Sequence, residues 1–241
     1  MTDLCRTPDG PRDRQLLFGE EVTVLARVES TALVRASKDS YCGYVALSDI
    51  GNPNDATHRV TARATQIYAR ADMKSPDLAT LSFGSVLSAL DETATFVRTE
   101  EGYVPRQHVH RLDATATDPA AIAEIFLGAP YLWGGNSQSG IDCSGLVQAA
   151  CLACAIPCPG DSDMQEMQVG DPLGREANLQ RNDLVFWKGH VALVYDAETL
   201  IHANAGHMAV VLEPLKSAFE RIEAQGDGQP TSFRRLPEMA T

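Results

Sequence analysis

The sequence predicts two small all-β domains followed by a domain that contains both helix and antiparallel strands. An internal repeat of short strands fills roughly the first half of the 241-residue chain. After the repeat comes an amphipathic helical segment that begins at a cysteine. An alternating apolar stretch with the pattern of a β-hairpin follows it. These three observations give the order of the domains and direct attention to the second half of the chain.

The repeat is marked by two short motifs that occur twice in the same order. Phe18-Gly19 and Phe83-Gly84 open the two copies, and Gly43-Tyr44-Val45 and Gly102-Tyr103-Val104 close them. The second copy is shorter, with 18 residues from glycine to glycine instead of 24. Short strands separated by glycine and acidic turns are typical of small β-barrels. An unrelated β-sandwich built from the same strands would share this pattern.

A small and polar segment, "DATATDPAA" (residues 113–121), separates the repeats from the rest of the chain. Asp118 and Pro119 within it are typical of a helix start, and we expect a short helix from there to Gly128. The predicted domains are therefore residues 1–54, 55–113 and 114–241.

Charge and apolar content narrow the possible functions. The chain has a formal net charge of −12 and a pI near 4.9. Sequence-independent binding of nucleic acid or of an anionic membrane requires basic patches, so we expect neither partner. The first residues have no apolar core of a signal peptide, and the run "HVALVY" is too short to span a bilayer. A cytoplasmic protein is predicted, and the sequence does not indicate an oligomeric state.

Cys143 lies where a glycine-rich loop passes into the helical segment "CSGLVQAACLACAI". Unpaired backbone N–H groups and the positive end of the helix dipole stabilise a thiolate at such a position. The sequence therefore predicts a lowered pKa and a reactive thiol at Cys143. The apolar stripe of the helix comprises Leu146, Val147, Ala150, Cys151 and Cys154.

Cys151 and Cys154 are predicted to be packing residues. In a reducing cytosol the six cysteines are expected to be free thiols, and buried cysteine behaves as a small hydrophobic residue. Cys151, Cys154 and Cys158 have the spacing that ends a ferredoxin cluster motif. Gln148 stands where that motif needs a further cysteine, and the sequence has no second cysteine cluster, so we expect no metal cluster. Catalysis by a cysteine thiol requires no metal and no cofactor.

Two histidines flank the predicted hairpin turn at Asp196–Glu198. If the hairpin is centred on Asp196, His190 and His202 lie opposite each other on one face, with Cβ atoms roughly 4.5–5.5 Å apart. A slip of one residue would send the two rings to opposite faces. A nucleophilic cysteine needs a base, and that base needs a third group to orient it. Cys143 and the two histidines can fill these three roles.

The order of these motifs resembles that of the NlpC/P60 cysteine peptidases. The matching stretches are "YLWGGNSQSGIDCSGLVQAA", "NDLVFWKGHVALV" and "LIHANAG", within residues 118–238. The resemblance implies a papain-like α+β catalytic domain. The repeats in front of it resemble two small all-β bacterial SH3-like (SH3b) barrels. The NlpC/P60 resemblance also implies a nucleophile at Cys143, a general base at His190 and an orienting residue at His202. Tyr131 would lie beside the nucleophile and polarise the attacked carbonyl.

The arrangement of SH3b modules in front of an NlpC/P60-like domain, with no visible signal peptide, resembles that of one subgroup. This subgroup is the γ-D-glutamyl-L-diamino acid peptidases that recycle murein peptides. The implied substrate is a murein tripeptide or tetrapeptide with a free N-terminal L-Ala. In that subgroup acidic and tyrosine side chains hold the free amine, some of them from the first SH3b module. The matching positions are Asp142, Ser144 and Ser162 near the nucleophile and Glu20 and Tyr41 in the module. The sequence does not decide between Tyr41 and Tyr44, although the place of Tyr44 in the repeated motif favours a structural role.

Three other functions remain open at this point. The same thiol scaffold would serve a broader peptidoglycan endopeptidase, or an amidase or acyltransferase. The chain could also be a non-catalytic wall-peptide-binding protein, but the intact trio Cys143, His190 and His202 favours an enzyme. The acceptor of the acyl group is decided by loops that the sequence does not let us interpret.

Overall fold

The computed structural model describes residues 1–8, 10–53 and 55–238. The chain divides into two compact units, which are described separately below. Unit 1 comprises Met1–Ala114 and Asn136–Gln138, and unit 2 comprises Thr115–Gly135 and Ser139–Thr241. Asn54, the last residue of the predicted first domain, lies outside the described residues. The predicted division between residues 54 and 55 therefore stays a prediction.

Unit 1 is built almost entirely from short strands. In its described part these are β1 (Thr2–Cys5), β2 (Arg12–Leu16), β3 (Val22–Val28), β4 (Thr31–Ala36), β5 (Cys42–Ala46), β6 (His58–Val60), β7 (Ala64–Tyr68), β8 (Asp77–Ser82), β9 (Val86–Leu87), β10 (Asp91–Glu92), β11 (Phe96–Arg98), β12 (Tyr103–Pro105), β13 (Val109–Arg111) and β14 (Asn136–Ser137). Short 3₁₀ helices follow β5 and β12, at Leu47–Asp49 and Arg106–His108.

The strand order of unit 1 repeats. One sheet has the order β2-β1-β5-β4-β3, and a second has the corresponding order β8-β7-β12-β11-β10. A small third sheet has the order β13-β6-β9. The two five-stranded sheets thus match the repeat seen in the sequence. Along the strand pairs of the described residues both sheets are open, so closed barrels are not shown and the second SH3-like barrel stays a prediction.

Each of the two larger sheets has its own hydrophobic core. The first core comprises Leu4, Leu16, Ala32, Val34, Ala36 and Val45. The second comprises Val60, Ile67, Leu81, Leu87, Val97, Val104 and Val109. The Phe-Gly motif lies between them, since Phe18 packs against the second core and its carbonyl accepts a hydrogen bond from the N–H of Val86 (3.0 Å). Gly19 has a φ of 77°, and a Cβ there would collide with the Val86 carbonyl, so the turn requires glycine.

Unit 2 combines helices with an antiparallel sheet. Its elements are α1 (Pro119–Glu124), β15 (Gly140–Ile141), α2 (Cys143–Ala153), α3 (Ser162–Gln168), β16 (Asp171–Leu173), β17 (Asp183–Trp187), β18 (His190–Asp196), β19 (Thr199–Asn204), β20 (Ala209–Pro214), α4 (Leu215–Ala224) and β21 (Ser232–Arg235). Within the described residues, none of these helices has the length and apolar character needed to cross a bilayer.

The main sheet of unit 2 has the order β16-β21-β17-β18-β19-β20, with antiparallel neighbours. Helix α4 packs on one face, where Ala218 and Ile222 join a core with Val185, Ala192 and Leu200. Alternating residues such as Leu193 and Ile201 are also fully buried, as expected for a sheet that is covered on both faces. Helices α1 and α2 pack against β18 and β19 and supply that second cover.

The predicted helix up to Gly128 ends earlier than expected. Asp118 caps α1, and Pro119 occupies its first turn as predicted. The helix stops at Glu124, because the following N–H groups bond to carbonyls three residues back, as in Phe126 to Ala123 (3.0 Å). Gly128 has a φ of 75°, which turns the chain out of helical geometry.

Candidate active site

Cys143 is the first residue of α2, and Asp142 is the N-cap that fixes its position. One carboxylate oxygen of Asp142 accepts the backbone N–H of Gly145 at 2.7 Å and the hydroxyl of Ser144 at 3.2 Å. Its other oxygen accepts the backbone N–H of Gly134 at 2.9 Å. Asp142 thereby ties the glycine-rich loop to the first turn of the helix that holds the nucleophile.

The thiol of Cys143 is buried, with 6% of the residue exposed. Burial raises the pKa of Cys143 to about 12, and the charge of Asp142 adds to the increase. Backbone hydrogen bonds from Val191 and from the start of α2 act in the opposite direction but are weaker. The predicted lowering of the pKa is therefore wrong in its net sign, because loss of solvent outweighs the helix-start N–H groups.

The contact with Val191 also shows where the nucleophile lies. Val191 is the residue after His190 on β18, and its backbone acts to lower the pKa of the Cys143 thiol. Helix α2 packs against β18, and His190 is the first residue of that strand. The Cys143 thiol is therefore close to the backbone beside His190, and the role of His190 as its base stays a prediction.

The two histidines share one face and form a hydrogen bond. Nε2 of His190 lies 3.0 Å from Nδ1 of His202. They are not directly opposite each other, contrary to the predicted register. Leu193 pairs with Ile201, which puts His202 opposite Ala192 and His190 diagonal to it. The centre of the hairpin moves because a two-residue turn and a bulge near Asp196 shift the pairing by an even number of positions.

A carboxylate and a guanidinium lie behind His202. Nε2 of His202 is 2.8 Å from Oε2 of Glu213, on the neighbouring strand β20. Arg221 of α4 donates from Nε to Oε1 at 2.9 Å and from its terminal nitrogen to Oε2 at 2.8 Å. The sequence prediction missed both residues. A signal was present, since Glu213 is an acidic residue in the apolar strand "AVVLEP".

The surroundings of His190, His202 and Glu213 favour neutral imidazole rings and an ionised carboxylate. Burial, with His202 and Arg221 nearby, lowers the pKa of His190 to about 3. Burial also lowers the pKa of His202, although Glu213 acts against it. For Glu213 burial acts to raise the pKa, but hydrogen bonds from Arg221 and His202 outweigh it and lower the pKa to about 2.

Tyr131 lies near the nucleophile. It forms a parallel bridge with Ile141, immediately before the cap of α2. Burial raises the pKa of Tyr131, and the charges of Cys143 and Asp142 raise it further. The phenol therefore stays protonated at neutral pH and is close enough to Cys143 to feel its charge.

The predicted serines lie on two elements that one glutamine connects. Ser144 is in the first turn of α2 and Ser162 is the first residue of α3. Gln165, fully buried on α3, donates from Nε2 to the carbonyls of Ser144 and Pro159, both at 2.9 Å. The sequence prediction did not include Gln165, which holds the start of α2 against α3.

Glu20 and Tyr41, the remaining predicted contacts, belong to unit 1. Glu20 accepts the backbone N–H of Leu17 at 3.1 Å and the ammonium of Lys38 at 2.6 Å. The hydroxyl of Tyr41 donates to Asp13 at 2.8 Å. Their roles in substrate binding stay predictions.

The three cysteines that follow Cys143 in the chain are buried, as the apolar stripe predicts for Cys151 and Cys154. Cys151, Cys154 and Cys158 are each no more than 5% exposed. All six cysteines of the chain lie in the described part of the structure and are free thiols. Among the described residues, no group of three or more His, Cys, Asp or Glu side chains is arranged to hold a metal ion.

Residues 128–222 match the NlpC/P60 family. This range includes Cys143, His190, His202, Glu213 and Arg221. Residues 4–50 match the bacterial dipeptidyl-peptidase SH3 domain. Over 236 residues the chain is 32% identical to the γ-D-glutamyl-L-lysine dipeptidyl-peptidase of Bacillus subtilis, covering 86% of this chain and 77% of that protein. The chain belongs to the NlpC/P60 family. This NlpC/P60 protein is thus a cysteine peptidase with a bacterial SH3 domain in front of its catalytic domain.

Two further similarities extend over most of this NlpC/P60 chain. It is 28% identical over 235 residues to dipeptidyl-peptidase 6 of Lysinibacillus sphaericus, with 86% of each chain covered. A crystal structure of an NlpC/P60 family protein from Bacillus cereus has the same fold, with a TM-score of 0.79 at 24% identity. That match covers 94% of this chain and 83% of the other. The SH3 match accounts for the first of the two repeats, and the second stays a prediction.

Proposed function

We propose that this cysteine peptidase hydrolyses the bond between γ-D-glutamate and the diamino acid of murein peptides that have a free N-terminal L-Ala. The observation that carries the proposal is the arrangement at the start of α2. There Cys143 begins a helix that packs against β18, the strand that begins at His190, and the buried carboxylate of Asp142 lies next to Cys143. The names of the relatives support the bond assignment, because they are dipeptidyl-peptidases and two of them act on γ-D-glutamyl-L-lysine.

In the proposed reaction the sulfur of Cys143 attacks the γ-glutamyl carbonyl while its proton passes to His190. The accepting atom is Nδ1, since Nε2 is engaged with His202. The backbone N–H of Cys143 at the helix start donates to the developing oxyanion. His190 then gives its proton to the departing diamino-acid amine, and a thioester remains on Cys143. Water attacks the thioester with His190 as base, which releases the dipeptide and restores the thiol.

Release of a dipeptide requires that the enzyme bind the substrate's amino terminus at a fixed distance from the nucleophile. An ammonium group is bound most strongly by charge-assisted hydrogen bonds to a carboxylate. Asp142 supplies a negative charge one residue from the nucleophile, and the hydroxyls of Ser144 and Ser162 belong to the adjoining helix starts. We assign these three residues, with Glu20 and Tyr41, to the amine. Tyr131 is assigned to the attacked carbonyl.

The biological role proposed here is the recycling of murein peptides in the cytoplasm. Tripeptides and tetrapeptides with a free amine are the expected substrates. Residues 1–54 and 55–113 are proposed as two SH3b modules and residues 114–241 as a papain-like catalytic domain. The matching strand orders β2-β1-β5-β4-β3 and β8-β7-β12-β11-β10 support the duplication.

The test is mass spectrometry of the products from L-Ala-γ-D-Glu-meso-diaminopimelate, run beside its N-acetylated form and its L-lysine analogue. We expect the free peptides to give L-Ala-γ-D-Glu and the acetylated one to stay intact. Cys143→Ala should abolish turnover, and its far-UV circular dichroism should match the wild type.

Equal cleavage of the free and acetylated peptides would contradict amine recognition and favour a broader endopeptidase. Three of the relatives carry the name probable endopeptidase, at 32% identity over 109 residues. Cleavage of neither peptide would overturn the proposed bond. In that case amide and acyl-transfer substrates would be next, and a wall-peptide-binding role would be tested by calorimetry.

A further inference from the structure

We infer that Glu213 is a positioning residue of the active site: its carboxylate, held by Arg221, sets the tautomers of both His202 and His190. The bare nitrogen of His190 is thereby left to face the thiol. This inference rests on the proposed roles of Cys143, His190 and His202. It adds Glu213 and Arg221, which lie outside the sequence stretches that resemble the NlpC/P60 motifs.

The carboxylate of Glu213 lies at one end of the hydrogen-bonded series Glu213–His202–His190 and is firmly held. Both of its oxygens accept hydrogen bonds from Arg221, at 2.9 and 2.8 Å, in the paired geometry that makes such bonds strong. Glu213 is 6% exposed and comes from β20, whereas Arg221 comes from α4. Hydrogen bonds from Arg221 and His202 keep its pKa near 2, so at neutral pH it only accepts hydrogen bonds.

An acceptor at this position determines where the protons lie on the two rings. Because Glu213 cannot donate, Nε2 of His202 must carry the proton of the 2.8 Å bond. Burial keeps His202 neutral, so its Nδ1 is bare and accepts from Nε2 of His190 at 3.0 Å. A neutral His190 with a proton on Nε2 has its lone pair on Nδ1. That lone pair is the base required by the thiol of Cys143.

The opposite order of protons would be unproductive. If His202 carried its proton on Nδ1, it would donate to Nε2 of His190 and leave the His190 proton on Nδ1. That nitrogen would then point a hydrogen at the thiol and accept nothing. The anchored carboxylate excludes this state. It also stabilises the positive charge that appears on His190 after proton transfer, with His202 as the intervening ring.

A purely structural role for the pair is the alternative explanation, since Glu213 and Arg221 also fasten α4 to β20. The chain offers a matched control in Asp183, which is 1% exposed on β17 of the same sheet. Both oxygens of Asp183 accept from Arg235 at 2.9 Å, and no histidine is bonded to it in the described contacts. Asp183→Asn removes an equivalent buried ion pair without touching the two rings.

The test has two readouts that need no peptide substrate. The first is ¹⁵N–¹H correlation of the histidine ring nitrogens in the intact wild-type chain and in Glu213→Gln. In the wild type we expect protons on Nε2 of both His190 and His202 and bare Nδ1 atoms. The second is the rate at which iodoacetamide alkylates Cys143 at pH 7, followed by mass spectrometry of its peptide. Exposed Cys42 in the same sample is the internal reference.

Glu213→Gln should mix or reverse the tautomers, because the amide that replaces the carboxylate can donate as well as accept. Its Cys143 alkylation should slow by about 100-fold, the size expected when a general base is lost. Asp183→Asn should lower the denaturation midpoint but leave the tautomers and the alkylation rate unchanged. Arg221→Gln should keep the tautomers, since the carboxylate remains.

A wild-type spectrum with a bare Nε2 on His202 would overturn the inference even if Glu213→Gln fails to fold. Equal alkylation rates in Glu213→Gln and Asp183→Asn would reduce Glu213 to a structural residue. These outcomes are independent of the proposed substrate. A wild type with the expected tautomers that cleaves no murein peptide would contradict the proposed function alone.

Discussion

Nε2 of His190 and Nδ1 of His202 lie 3.0 Å apart although the two residues are diagonal, not opposite, in the β18–β19 ladder. Diagonal neighbours on one face are farther apart at the backbone than opposed ones, so the rings must lean toward each other to meet. Their centroids are 5.2 Å apart, with the ring planes tilted by 53°. The pairing of the rings is therefore a specific arrangement of this active site, and several consequences can be measured.

The first prediction concerns the orienting role of His202. His202→Ala removes the acceptor for Nε2 of His190, so the base loses its fixed orientation. We expect kcat to fall by roughly 10²–10⁴, with a much smaller change in KM, because the loss affects the reacting groups and not the peptide contacts. Steady-state kinetics on the free-amine peptide measures both parameters.

A nearby histidine provides the control for this experiment. His207 is exposed and bonds to Asn204, so His207→Ala should leave kcat within about threefold of the wild type. A similar loss in both variants would mean that the turn after β19, and not His202 itself, controls the rate.

The second prediction concerns the resting state of the nucleophile. Burial raises the pKa of Cys143 to about 12 and lowers that of His190 to about 3, so the resting pair is a neutral thiol and a neutral imidazole. The ultraviolet absorbance of a thiolate, taken as the difference between the wild type and Cys143→Ala, should therefore be absent at neutral pH and appear only in the alkaline range. Thiolate absorbance already present between pH 5 and 8 would instead indicate a preformed thiolate–imidazolium pair.

The third prediction is a pH dependence of stability. The pKa of His190 is lower in the folded chain, about 3, than its usual value of 6.5. The unfolded chain therefore binds this proton first, and the stabilisation present above pH 6.5 is lost as the pH falls toward 3. Urea unfolding from pH 7 to 4 should show a loss on the order of a few kcal/mol in the wild type. The loss should be clearly smaller in His190→Gln, and parallel curves would contradict the assigned shift.

The fourth prediction separates two roles of Asp142. Asp142→Asn keeps a side-chain oxygen for the cap but removes the negative charge and one of the N–H acceptors. We expect a destabilisation of about 1–3 kcal/mol together with a rise in KM for the free-amine peptide. Asp118→Asn changes the cap of α1 in the same way and should cost stability without changing KM. Equal kinetics in the two variants would leave Asp142 with a capping role only.

The fifth prediction addresses the SH3 domain. Glu20→Gln should raise KM for the free-amine peptide if Glu20 holds the substrate ammonium, because the charge is lost while the size of the side chain is kept. Lys38→Met removes the cation that lies 2.6 Å from Glu20 and serves as the control. We expect Lys38→Met to leave KM unchanged or lower it. Equal increases in both variants would attribute the effect to a disturbed domain surface.

The sequence by itself was sufficient for the elements and the chemistry that depend on local order. The apolar stripe of α2 and the alternating strands around Asp196 are set by periodicities of 3.6 and 2 residues. The repeated Phe-Gly motif follows from a backbone conformation that requires glycine at Gly19. The shared face of His190 and His202 was also predictable, since an even shift in register preserves the face.

Only the tertiary structure decided the register, the partners behind His202 and the state of the thiol. The register of β18 against β19 depends on a bulge near Asp196 that no local sequence pattern predicts. Glu213 contacts His202, and Arg221 contacts Glu213, because β20 lies beside β19 and α4 packs against β20. Contacts between distant segments leave no regular spacing in the sequence. The sign of the Cys143 pKa shift was missed for the same reason. A helix start is a local feature that lowers the pKa, whereas burial is a property of the whole fold and here is the larger effect.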